Sequence, residues 1–279
     1  MNWWCAASGL PWTWEWRAFP GVWLFVGAIA LGYVRALRRL EPARFAGDDA
    51  PTTRREIALF FAGVAVLWLA ADWPLGLLAA GYLLSARTLQ YLLFVMVAPP
   101  LILLGLPRWL LRRLIRGRVA FRLARVLSRP LVPLLAFNAV FIAVHLPPVI
   151  AATAGSQLAG FALDVAIILS GVVFWWPALA RLPELEPMAY PARIGYLLLS
   201  VFLPTVPASF YTYARFPIYP LYELAPRVHG IGAVADQQVA GLTMKVLGGF
   251  ILFGTMSVMF FRWHRIEETA ETPRKETVA

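Results

Sequence analysis

Apolar residues in this chain form long blocks rather than the alternating or 3.6-residue patterns of half-solvated elements. The blocks lie near 22–37, 57–73, 77–98, 131–144, 158–180, 194–213 and 234–261. A helix that crosses a bilayer needs about 20 predominantly apolar residues. The pattern therefore predicts an all-α, polytopic membrane bundle of about seven transmembrane helices. Basic residues divide unevenly between the connections. Arg35, Arg38, Arg39, Arg44, Arg54 and Arg55 follow the first block, and Arg108, Arg112, Arg113, Arg116, Arg118, Arg122, Arg125 and Arg129 follow the third. Arg181 and Arg193 after the fifth, with Arg262, Arg265, Arg274 and Lys275 after the seventh, fall on the same side when seven helices are threaded in order. The other side holds only Arg17, Arg215 and Arg227. Because cytoplasmic connections carry the excess of Lys and Arg, the N-terminus is expected outside and the C-terminus in the cytoplasm. A count of six or eight would place an arginine-rich block outside.

Composition agrees with this reading. Of 279 residues, 60% are apolar and 14% charged, the latter about half the share of a soluble chain. No room remains for a large soluble domain, so residues 1–263 are expected to form one membrane domain and 264–279 a cytoplasmic tail that frays into solvent. A net charge of +10 raises the possibility of nucleic acid as a partner, but the basic residues lie between apolar blocks instead of forming one aromatic-interleaved patch. They read as topology signals and contacts for anionic lipid headgroups. Cys5 is the single cysteine, which excludes an intrachain disulfide, a CxxC redox pair and a thiolate metal cage. The opening residues have neither a basic leader nor a contiguous apolar core and do not read as a cleavable signal. Their tryptophans suit an interfacial belt.

Two features interrupt the blocks. Pro99 and Pro100 are expected to end or kink the third helix, because proline removes backbone donors and disfavours helix in the residue before it. Beyond them, near 107–128, Leu110, Leu111, Leu114, Ile115 and Val119 recur at helical spacing among the arginines. This segment is either an interfacial helix on anionic lipid or a plain positive-inside loop.

Polar groups within apolar blocks are expensive and mark candidate sites. Arg87 falls about ten residues into the third predicted helix, roughly 15 Å along its axis, with Tyr91 one turn later on the same face. Asp164 lies near the start of the fifth helix. Asp236, Gln237 and Gln238 open the seventh, and Lys245 follows. Gln237, Gly241, Lys245 and Gly249 are spaced by four and form a narrow polar and small stripe suited to close helix approach. The expected pairs are Arg87 with Asp164 and Lys245 with Asp236 or Asp164, since one buried charge alone is costly. Such pairs register helices, line a proton or ion path, or await a charge from another subunit. His145, in VHLPP at the end of the fourth helix, is a candidate ligand or an interfacial hydrogen-bonding residue. His229 and His264 lie in an outer loop and at the cytoplasmic end. No metal-ligand spacing, glycine-rich phosphate loop, nucleophile elbow or paired-carboxylate motif is present, so an enzyme is not expected.

Several segments together resemble the CtaG-type cytochrome c oxidase assembly proteins, a family of seven-helix bacterial membrane proteins. They are YVRALRRL after the first helix, SARTLQYLLFVMVAPPLILLGLP through the third, HLPP at His145, LSGVVFWWPAL from Leu169, YPARIGYLLL from Tyr190 and ADQQVAGLTMKVLGG from Ala235. The resemblance implies a role in maturing haem-copper oxidases in the bacterial cytoplasmic membrane, with oxidase subunits or other assembly factors as partners and a connection to their copper centres. It also exposes departures. Arg87 and Tyr91 stand where the family pattern carries two histidines four apart, and Asp164 where another histidine is expected. Lys245 replaces an apolar or aromatic residue. Only His145 remains of the histidine set, so the expectation is an assembly factor without its own copper site, an ion pair having replaced the ligands. A resident accessory subunit of an oxidase and a small proton- or ion-conducting transporter are the alternatives; the absence of an inverted repeat speaks against the transporter.

Overall fold

The computed structural model describes residues 2–7, 9–41, 50–179 and 181–276, and every regular element among them is helical. The order is α1 (Pro20–Leu40), α2 (Arg54–Ala71), α3 (Leu75–Gly81), α4 (Leu84–Leu92), a π-helical turn (Leu93–Val97), α5 (Ala98–Gly105), α6 (Arg108–Leu114), α7 (Arg118–Leu127) and α8 (Leu131–Val144). There follow α9 (Pro147–Ala154), α10 (Gln157–Leu179), a 3-10 turn (Pro183–Leu185), α11 (Tyr190–Tyr213), α12 (Pro220–Glu223) and α13 (Ala233–Glu276). Five stretches are long and apolar enough to cross a membrane alone: α1, the continuous run Leu84–Gly105, α10, α11 and the Ala233–Thr269 part of α13. Two bent pairs, α2 with α3 at 46° and α7 with α8 at 82°, bring the number to as many as seven when each pair is taken as one span. The chain is thus an all-α polytopic bundle. Its outer surface carries Leu24, Leu69, Leu199, Phe202, Phe210 and Phe250, all exposed, as a surface solvated by lipid requires. Its interior holds Leu67, Phe94, Val95, Phe137, Phe174, Trp175 and Leu197.

The third span is displaced from its expected limits. It begins at Leu84 rather than near residue 77, and the stretch Leu75–Gly81 instead belongs with α2 across a bend. A carboxylate sets the new start: Asp236 accepts from the backbone N–H groups of Leu84 at 2.6 Å and Ser85 at 3.2 Å, capping α4. Hydropathy alone does not register a cap supplied from another helix. Arg87 consequently lies in the first turn of its helix, not halfway along it.

The same span also continues past Pro99 and Pro100 to Gly105. In an α ladder the carbonyl of Val95 would accept from position 99, and in a π ladder from position 100, and both are proline without an N–H. The indole of Trp175 supplies the missing donor, reaching the Val95 oxygen at 2.8 Å. Close approach is possible because the facing residue of α10 is Gly171, where an added Cβ would lie 2.8 Å from Val95 Cα and 2.9 Å from Pro99 Cγ. The prolines therefore reshape the helix without ending it.

The arginine-rich segment forms two short helices, α6 and α7, rather than one, with Gly117 leading into the second. Trp109 and Leu110 are buried against Tyr33, Phe60 and Val64, while Leu111 and Ala124 pack with Leu182 and Leu185. Leu114, Val119 and Leu123 remain exposed. Ion pairs tie these helices to neighbouring connections: Arg112 Nε to Glu184 at 2.6 Å and Arg125 Nη2 to Glu186 at 3.2 Å. At the same end Arg181 sits 3.5 Å from Glu56, which also completes the capping box of α2 with Thr53. Partial burial lowers the Arg181 pKa while Glu56 counteracts it. Arg44 lies outside the described residues. Past the apolar block, α13 runs on to Glu276. Trp263 Nε1 donates to Glu267 at 2.8 Å and His264 pairs with Glu268 at 3.2 Å, contacts one turn apart that support helix in water.

If Trp175 replaces the proline-deleted donor, Trp175→Phe will leave the buried Val95 carbonyl unpaired and cost about 1–3 kcal/mol. Gly171→Val will destabilise further by steric overlap with the Val95 backbone. Thermal unfolding in detergent is the check, and unchanged midpoints for both variants would refute the packing role.

Candidate functional site

The polar residues singled out in the sequence gather toward the end of the bundle where α4, α10 and α13 meet the N-terminal segment. Asp164 is buried in the second turn of α10. Its Oδ1 accepts from Arg87 Nη1 at 2.7 Å and its Oδ2 from Trp4 Nε1 at 3.0 Å. Arg87 donates also to Gln90 Oε1 at 2.5 Å, and Gln90 Nε2 passes on to the carbonyl of Ala70 at 2.8 Å. A continuous chain of hydrogen bonds thus joins the N-terminal segment, α10, α4 and α2. In a low-dielectric interior such a set is stable only when each member is satisfied.

The N-terminal segment is held here by its backbone as well. Trp3 and Trp4 donate their N–H groups to Gln157 Oε1 at 2.8 and 3.2 Å, and Gly21 N–H reaches the Trp3 carbonyl at 2.8 Å. Cys5 is buried beside this cluster, its Sγ 3.3 Å from the Ala71 carbonyl. Burial pushes its thiol well above the usual value, with Asp164 and Asp72 adding in the same direction. The cysteine stays protonated and is a poor nucleophile or metal ligand.

Asp236 and Gln237 serve backbone groups. Asp236 caps α4 through the two N–H groups given above and also accepts from the Ser85 hydroxyl. Gln237 accepts from Ile218 N–H at 2.8 Å and donates to the Phe216 carbonyl at 3.3 Å, fixing the α11–α13 connection. Gln238 is half-buried and joins neither set. Gly241 lets α13 lie against α11, since a Cβ there would meet Thr212 and the Ala208 carbonyl.

Lys245 departs from expectation. It forms no ion pair with Asp236 or Asp164. Half-buried, it holds its ammonium 5.1 Å from the centre of the Tyr213 ring. The reason is geometric: Asp236 is consumed at the start of α4 and Asp164 by Arg87 and Trp4.

His145 and Tyr91 occupy an aromatic layer next to this cluster. His145 Nδ1 lies 2.6 Å from the Phe141 carbonyl, and its own carbonyl accepts from Tyr219 at 2.8 Å. The Tyr91, Phe141 and Tyr211 rings surround the imidazole at 5.7, 4.3 and 6.0 Å between centroids. Tyr211 and Tyr219 share a hydroxyl contact of 2.5 Å. Tyr91 is buried, yet its hydroxyl has no hydrogen-bond partner. His229 stacks at 6.1 Å on Trp14.

Sequence reasoning missed Asp72, a buried carboxylate at the end of α2 that accepts from Trp23 Nε1 at 2.7 Å and Trp68 Nε1 at 2.9 Å. Trp4, Ser85 and Gln90 also went unnoticed. The available signal was Asp72 itself, an acid at the end of an apolar block beside Trp73. The partners of the other three are distant in sequence and left no local pattern.

The copper connection implied by resemblance can be tested against the donors present. One imidazole, His145, shares a small cavity with Arg87, Tyr91 and Met244, and no group of three His, Cys, Asp or Glu residues converges among the described residues. A guanidinium held at 2.7 Å by a carboxylate neither coordinates nor tolerates a nearby cation. These residues do not fit a copper site.

Reversing the charge at Arg87 alone places two carboxylates together, at a cost of about 3–5 kcal/mol for a broken buried pair. The double exchange Arg87→Asp with Asp164→Arg will recover part of that loss in thermal unfolding. Asp236→Asn will cost about 1 kcal/mol through the weakened α4 cap. No recovery in the double exchange would show that the pair does not stabilise the bundle.

Comparison with curated proteins and with solved structures gives no match. The model of the cytochrome c oxidase caa3 assembly factor family, in contrast, matches residues 31–266, a stretch from the middle of α1 to beyond the apolar part of α13 that contains Arg87, His145, Asp164, Asp236 and Lys245. The chain belongs to the cytochrome c oxidase caa3 assembly factor family.

Proposed function

We propose that this protein is a non-enzymatic assembly factor for a haem-copper cytochrome c oxidase of the bacterial cytoplasmic membrane, and that it acts as a scaffold without a copper site of its own. Family membership supports the oxidase assembly role. The observation that carries the copper-free reading is the Arg87–Asp164 contact of 2.7 Å, at positions where the family resemblance leads one to expect histidine. The arginine-rich end, with α6 and α7, is read as the cytoplasmic face resting on anionic lipid.

A proton or ion path through the same charges is less well supported. A conducting carboxylate has to exchange partners, whereas Asp164 and Asp236 are each held by two or more donors, an arrangement suited to fixed structure.

Deleting the gene should strip haem and copper from the oxidase, with both restored by the gene supplied in trans. Metal analysis of the purified protein should return well under one copper per chain. A fully assembled oxidase in the deletion strain would refute the assembly function. Stoichiometric copper that is lost on His145→Ala would refute the copper-free reading and leave the assembly function intact.

A further inference from the structure

Among the described residues, the charged groups of the membrane bundle differ in how far they are engaged within the chain. Asp164 is bound by Arg87 and Trp4, Asp236 by the start of α4, and Asp72 by two indoles. Lys245 has only the face of Tyr213, itself an exposed residue. It lies twelve residues after Ala233, the first residue of α13, roughly 18 Å along the helix, too deep for its ammonium to reach bulk water easily.

Beside Lys245 a cavity of ≈ 90 Å³ opens between α4, α8, α11 and α13, lined by Tyr91, Phe141, Thr205, Lys245, Gly248 and Gly249 among others. Tyr91 contributes to its wall. Gly249 leaves open space where a Cβ would stand, so another backbone can come close along α13. A cation at the edge of an apolar cavity asks for an acceptor group. The size restricts what can bring it: the cavity is smaller than the engineered one of about 150 Å³ that admits benzene, suiting a side chain and not a cofactor.

We propose that this face of α11 and α13 docks a transmembrane helix of another membrane protein that inserts an Asp or Glu side chain beside Lys245, its carboxylate bound by the ammonium. A second copy of this chain is a poor occupant, because the carboxylates of its described membrane helices are already engaged. A lipid phosphate is also a poor occupant, since Lys245 lies well below the headgroup layer. The inference rests on the assembly reading only for placing that helix in an oxidase subunit or a fellow assembly factor.

The test uses the full chain in phosphatidylcholine nanodiscs and a fluorescent Leu/Ala transmembrane peptide of about 20 residues bearing a central Glu, with Gln and Leu versions beside it. Energy transfer should report binding of the Glu peptide about tenfold tighter than the Leu peptide, a difference of about 1.4 kcal/mol. Lys245→Arg should keep the preference and Lys245→Met abolish it, with thermal midpoints confirming that each variant is folded. Equal binding of all three peptides, or a Glu preference that survives Lys245→Met, would overturn the proposal. So would Lys245-dependent self-association without peptide, or loss of the preference on adding phosphatidylglycerol, since these identify a second copy or a lipid as the occupant. Lys245-dependent Glu binding together with a normal oxidase in the deletion strain would support the docking site and remove only the oxidase from the assignment.

Discussion

A hydrogen-bonding or charged group sunk in hydrocarbon has no water to turn to, and that constraint accounts for the unusual positions of this bundle. It acts on the backbone where Pro99 and Pro100 strip donors from the third span and Trp175 replaces one of them. It acts on side chains where Arg87 and Asp164 neutralise each other. Both solutions draw the same two helices together: Gly171 lets α10 touch the π-helical turn, and Asp164 on α10 reaches α4. The order of small, aromatic and proline residues in SGVVFWWP and APP is a means of joining one helix with missing donors to another that supplies them.

Capping extends the same logic across the bundle. The start of α4 carries free N–H groups and a partial positive charge, and Asp236 from α13 satisfies it. Within one turn Arg87 then meets Asp164 from α10. Two carboxylates on two different helices thereby fix the position and the rotation of α4, while Trp4 fastens the N-terminal segment to one of them. The bundle is braced by polar contacts at both ends, around Asp164 and Asp236 at one and around Glu56 and Glu184 at the other, with apolar packing between. Packing in lipid lacks a hydrophobic driving force between helices, so these polar contacts weigh more in setting register than they would in a water-soluble protein.

Much of this was legible in the sequence because hydropathy and charge act locally. Five of the apolar blocks became spans and the other two lie in bent helix pairs that count as spans only when each pair is taken as one, and Arg87 and Asp164 stood out as opposite charges in apolar surroundings. What the sequence hid was long-range. The cap that starts α4 comes from a residue 152 positions away, so the third span was expected to begin too early and Arg87 too deep. The prolines suggested a break because their replacement donor lies 80 positions on. The break at Gly117 passed unnoticed because apolar residues on both sides keep helical spacing. Asp72 was overlooked because an acid at the end of an apolar block looks solvated until Trp23 and Trp68 close over it.

The exception to internal satisfaction directs the functional reading. If the charges in this bundle served conduction, the loosely held groups would form a connected file; instead Arg87 is held by Asp164 and Gln90 and Lys245 stands apart from them against Tyr213. A fixed network around Arg87 with one cation beside a separate cavity suits a protein whose work is done against another membrane protein. On the proposed reading, the Arg87–Asp164 pair stiffens the interior where the resemblance leads one to expect metal ligands, while Lys245 offers a binding charge outside that network.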